Sequence, residues 1–122
     1  MSRNRTIPIR SEVDVITARM QVRELARGLG MTPGDQAHIS LATSSLIHEL
    51  GLGVTCQGHV TMDCVNIGGR TGVRVVCVER NGAAGDGRTP GSLSDLRWMV
   101  DELSIEKLPP DDLQITMIKW LA

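Results

Sequence analysis

The sequence predicts an α+β two-layer sandwich, and three observations predict it. Two segments in the first half repeat apolar residues at helical spacing. Two consecutive segments in the middle alternate apolar and polar residues with period two, and a third alternating segment ends the chain. A run of helices beside a run of antiparallel strands packs as a helical layer on one face of a sheet. The 122 residues suit one domain, 1–122, with one core.

Thr6 to Ile9 reads as a short strand. Ser11 opens the first helix, with Asp14 three residues later in the manner of a capping box. Val15, Ala18, Val22, Leu25 and Leu29 form one apolar stripe on a helix ending at Gly28 to Gly30; Arg19, Arg23, Glu24 and Arg27 occupy the other face. Thr32-Pro33 supplies an N-cap and a first helical position for a second helix. Its stripe is Ile39, Ala42, Leu46 and Leu50, and Gly51 and Gly53 end it.

Val60, Met62 and Cys64 then share one strand face, and Val73, Val75 and Cys77 share another. The second of these strands is apolar on both faces through Val76 and Val78, which predicts a central position. Asn66 to Gly72, with Gly68-Gly69, reads as the hairpin turn between them. Asn81 to Gly91 reads as a loop. A short helix is expected from about Ser92 to Leu103, with Leu93, Leu96 and Val100 as its stripe. Ser104 to Lys107 reads as a strand, Pro109 to Asp112 as a turn, and Leu113 to Leu121 as the last strand. The predicted order is β-α-α-β-β-α-β-β.

Composition narrows function. The chain is 41% apolar and 22% charged, with a formal net charge of −1, so no general electrostatic case exists for nucleic acid or an anionic membrane. No apolar run is long enough to span a bilayer, and the basic start (Arg3, Arg5, Arg10) has no apolar run behind it, so a cytoplasmic location is expected. Phe and Tyr are absent, which argues against a base-stacking surface. Cys56, Cys64 and Cys77 have no CxxC spacing and read as small apolar residues in strands. His38, His48 and His59 are scattered and form no catalytic or metal-binding pattern.

The stretches "IPIRSEVDVITARMQVRELARGLGMTPGDQAHIS", "MVDELSIE" and "ITMIKWL", in order and at suitable spacing, resemble the RsbT and SpoIIAB branch of anti-sigma regulatory serine kinases in the GHKL superfamily. The resemblance covers nearly the whole chain. It implies the Bergerat fold, with helices packed on one face of a mixed sheet, and a site for ATP or ADP with Mg²⁺.

Three motifs of that family depart from its pattern here. The second helix of the family carries a Glu base and, one turn later, an Asn that holds Mg²⁺. Ser45 stands at the Glu position and Glu49 at the Asn position. Ser45 cannot act as a base near neutral pH, whereas Glu49 is a hard oxygen ligand for Mg²⁺ or, on the plainer view, a solvated helix-end carboxylate. The strand-end Asp that receives the adenine amino group is matched by Glu79, and the following Gly-x-Gly by Asn81, Gly82 and Ala83 or Gly85; a plain loop is the alternative. The glycine-rich lid is reduced to Gly91, with Asp95 where a small residue is usual. Arg19 matches a first-helix Arg that the family uses near its partner-docking face, or is a solvated Arg on a charged face.

The resemblance therefore implies a partner-switching protein that docks a STAS-domain protein, a PP2C-type phosphatase or a sigma factor, with nucleotide chemistry weakened or lost. Dimers are common among such proteins, so a homodimer is admitted; nucleic acid and membrane partners are not expected. The rival expectation is an active Mg²⁺-ATP-dependent serine kinase using Glu49 and Glu79. A third is a subunit of a stressosome-like scaffold.

Overall fold

The computed structural model describes residues 4–80 and 96–121. The elements run β1 (Arg5–Ile9), α1 (Glu12–Gly28), α2 (Pro33–Leu50), β2 (Gln57–Ile67), β3 (Arg70–Arg80), β4 (Glu102–Leu108) and β5 (Asp112–Trp120). The strands form one sheet in the order β1-β2-β3-β5-β4, with β3 at the centre as its two-sided apolar pattern predicts. Every pairing between these five strands is antiparallel, so this part of the sheet is not mixed. Tight turns between β2 and β3 and between β4 and β5 permit only that orientation.

Helix α2 starts and stops where its caps dictate. The Thr32 hydroxyl accepts from the Asp35 amide at 3.2 Å, and Gly51 ends the helix at φ 73°. A cap of this kind is worth about 1 kcal/mol. Helix α1 differs from expectation at its start. Ser11 makes no side-chain cap, and Asp14 accepts instead from the Arg10 amide at 2.9 Å, one residue earlier than a capping box requires. The extended Ser11 backbone carries the chain straight from β1 into the helix.

The helices run antiparallel: Glu12 meets His48 at 2.7 Å, and the Ser40 hydroxyl reaches the Arg19 carbonyl at 3.4 Å. Their buried stripes, Val15, Ala18, Val22 and Leu25 with Ile39, Leu46 and Leu50, cover Val60, Met62, Val73, Val75, Cys77, Ile115 and Met117 of the sheet. Full burial of one such side chain is worth roughly 1.5–3 kcal/mol. Gly68 and Gly69, at φ 60° and 83°, make the two-residue turn of the β2–β3 hairpin, for which positive φ is required at both positions.

The expected helix from Ser92 to Leu103 is not formed in its described part. Leu96 to Asp101 is a tight turn, and Glu102 and Leu103 already belong to β4, paired with Ile118 and Met117. Leu96, Met99 and Val100 are buried as a helix stripe would be, but three apolar positions also fit a turn folded onto the core. Ser92, Leu93 and the first part of that segment lie outside the described residues. Among the described residues no helix is long and apolar enough to cross a membrane.

Candidate functional site

Nine of the 18 residues of α2 are buried, and Ala37, Leu41, His48 and Glu49 are exposed on the opposite side, with His38 and Ser45 at its margin. Thr43 and Ser44 return their hydroxyls to the carbonyls of Ile39 and Leu41, at 2.7 and 3.1 Å. His38, Ser45 and Glu49 lie within about 40° of one another around the axis at 3.6 residues per turn. The His38 ring meets Trp98 edge to face at 5.3 Å, so this face looks towards the segment that resumes at residue 96. Ser45 is half-buried, and its hydroxyl makes no hydrogen bond to a described residue. Glu49 is exposed in the last turn of α2, where the negative end of the helix dipole disfavours a carboxylate and favours a cation. Among the described residues no group of three or more His, Cys, Asp or Glu gathers as a metal site.

Glu79 continues the inward-facing series Val73, Val75, Cys77 on β3, so its carboxylate enters the helix-covered side of the sheet. It is 3% exposed. Its strand neighbours are Gly58 and Leu113, and its Oε1 accepts from the Cys56 thiol at 3.1 Å. A Cβ at Gly58 would lie 2.2 Å from the Val78 carbonyl oxygen, so only glycine permits this close approach beside Glu79. A thiol is a weak donor, which leaves a buried acceptor with spare capacity. Of the other motif residues, Asn81, Gly82, Ala83, Gly85, Gly91 and Asp95 lie outside the described residues.

The cysteines divide differently from expectation. Cys64 and Cys77 are in strands, but Cys56 precedes β2 and serves Glu79 rather than simple packing. Burial pushes the Cys77 thiol up to about 12. The Cys64 thiol is also raised, by burial first and then by Asp63.

Arg19 is exposed on α1. Beside it the sequence reading missed a second apolar stripe: Val13, Ile16 and Met20 are 69%, 50% and 62% exposed. Their spacing of three and four matches a helix face, but the stronger buried stripe masked it.

No family model matches the chain. It is 26% identical over 127 residues to the serine/threonine-protein kinase RsbT of Bacillus subtilis (strain 168), covering 94% of this chain and 95% of that one. The chain is thus similar to RsbT over nearly its whole length. Among solved structures, the RsbU and RsbW domains of a Mycobacterium tuberculosis protein superpose with a TM-score of 0.68 at 18% identity, over 99% of this chain. That likeness speaks for the fold, and this chain spans 32% of that longer one.

The chain carries a further feature at the loop that follows α2. A cavity of about 700 Å³ opens where β1 ends, β2 begins and β3 ends, lined by Arg10, His59 and Arg80 among others. No spacing in the sequence signals it, because the three residues come together only through strand register: Pro8 pairs with His59, and Gln57 with Arg80.

Proposed function

We propose that this RsbT-like chain is a partner-switching regulator that acts by docking, with phosphoryl transfer lost. The observation that carries this reading is Ser45. It sits half-buried at the edge of the open face of α2, at the position where the resemblance calls for a carboxylate base, and its hydroxyl cannot take a proton from an attacking serine at neutral pH. The exposed stripe Val13, Ile16 and Met20 beside Arg19 supplies a docking surface of the kind that buries an apolar centre and an Arg anchor. A STAS-domain protein, a PP2C-type phosphatase or a sigma factor is the expected class of partner, with the cytoplasm as the place of action.

A second reading is favoured by Glu79. Its buried, lightly satisfied carboxylate suits an adenine amino group, which supports retained nucleotide binding even where transfer is lost. On this reading ATP or ADP is held through Glu79, and Mg²⁺, if bound, through Glu49; the group would supply charge and order near α2. Gly82 and Gly91 would approach the phosphates through their backbone.

Two measurements separate these readings. Titration calorimetry with Mg²⁺-ATP is expected to show weak one-site binding that falls about tenfold or more in Glu79→Ala, the loss of one hydrogen bond to a charged group. Radiolabelled ATP with a STAS-domain substrate is expected to give no phosphoserine. Phosphate transfer by the purified chain would overturn the docking reading in favour of an active kinase.

A further inference from the structure

We propose that the corner cavity beneath β1, β2 and β3 is a binding site for a small phosphate-bearing anion, separate from the candidate nucleotide pocket. By strand register, Pro8, Gln57, His59 and Arg80 belong to the sheet face that the helices leave uncovered, whereas Glu79 belongs to the covered one. The lining also includes Ile9, Cys56 and Gly58 of the covered side, so the cavity lies at the corner of the sheet, with its arginine and histidine side chains on the face turned away from α2.

Charge points to the ligand. The chain as a whole carries a net charge of −1, yet the cavity gathers Arg10, His59 and Arg80, and among the described residues no Asp or Glu lines it. The nearby carboxylates are already engaged elsewhere: Asp14 with the Arg10 backbone amide, and Glu79 with the Cys56 thiol across the sheet. Neither guanidinium makes an ion pair with a described residue. Two guanidiniums around one concavity, neither ion-paired among the described residues, match the several oxygens of a phosphate better than a single planar carboxylate.

Shape points to a small molecule. A volume of about 700 Å³ falls within the range of small-ligand clefts, and the site is a recess rather than a flat basic stripe. Its wall is fixed. Gly53, at φ 81°, packs on the end of β1 so closely that a Cβ would lie 3.1 Å from the Arg10 carbonyl carbon and 3.2 Å from the Ser11 nitrogen. The amides of Gly53, Val54, Thr55 and Cys56 all donate within their own loop, to the carbonyls of Cys56 or Gly51. Recognition must then come from side chains: the two arginines, with Thr55, Gln57 and His59 as further polar contacts.

The test is calorimetric titration of the full chain at low salt with inorganic pyrophosphate, and with citrate as the carboxylate counterpart. One-site pyrophosphate binding is expected, weakened about tenfold or more by Arg10→Ala and again by Arg80→Ala, and unchanged by Arg23→Ala, which removes an exposed charge on α1 outside the cavity. Circular dichroism of each variant checks that it is folded. Absence of binding by the folded wild-type chain overturns the proposal, as does binding that ignores both arginines. Pyrophosphate binding that Mg²⁺-ATP competes away places the anion in the candidate nucleotide pocket and also overturns it. Citrate bound as tightly as pyrophosphate defeats the assignment to phosphate.

Discussion

On the helix-covered face of the sheet, Val60, Met62, Val73, Val75, Ile115 and Met117 are wholly removed from water. On the other face the same strands present polar side chains in pairs. Thr6 meets Thr61 at 3.2 Å, Arg74 grips Asp63 through two hydrogen bonds of 3.1 and 2.7 Å, and the Trp120 indole donates to Glu102 at 2.7 Å. Arg70 lies over the same Trp120 ring at 4.6 Å. Where cover is complete, dispersion and burial suffice; where it is partial, specific polar partners close the surface. The covered face departs from its own rule at Glu79 and Lys119. Lys119 is answered by Asp35 at 3.6 Å, an opposite charge, and Glu79 only weakly by a thiol. The less satisfied of the two is the better candidate for meeting a ligand.

The largest test of this contrast is truncation on each face. Ile115→Ala or Met117→Ala should cost about 2–5 kcal/mol in urea unfolding. Val76→Ala, half-buried on the other face, should cost less than half as much; equal losses would break the comparison. Next, Asp63→Ala should cost about 1 kcal/mol, because Arg74 remains 39% exposed and water can take the place of the carboxylate. Replacing both partners by Val should recover most of that loss.

The buried Cys77 thiol gives a smaller effect confined to alkaline solution. Its folded value is about 12 against an unfolded 9.0, so the folded chain holds the proton that the unfolded chain releases. Its contribution is complete below pH 9 and is lost as pH rises from 9 towards 12. The fall in urea midpoint over that range should be shallower in Cys77→Ala. Smallest of all, Glu12→Gln removes the exposed partner of His48 and should move stability by no more than about 0.5 kcal/mol at neutral pH.

Local signals carried the first half of the molecule. The α2 caps at Thr32 and Gly51 and the Gly68-Gly69 turn act within a few residues of themselves, so the residue types reveal them. Likewise, alternation along β3 places Glu79 with the core residues. The Ser11 capping box failed because the backbone entering from β1 sets its geometry. The expected third helix failed in its described part because pairing of Leu103 with Met117 outweighs a three-position stripe. At the candidate site, the one-turn spacing of Ser45 and Glu49 is legible in sequence, but the Cys56 partner of Glu79 and the Arg10–His59–Arg80 cavity are not. Both arise from strand register between segments far apart in the chain.

That register also sets an order of assembly. The β2–β3 hairpin closes through a two-residue turn, and its loop entropy is minimal. By contrast, β1 must find Gly58 to Met62 across both helices before its five pairs can form. The N-terminal strand is therefore expected to dock late, and pulsed hydrogen exchange should protect Val75 and Val76 before Ile7 and Ile9. Because Ile9 and Arg10 line the corner cavity, that cavity is expected to be complete only once β1 has docked. Any ligand it holds would bind the finished chain alone and would act as a latch on its N-terminus.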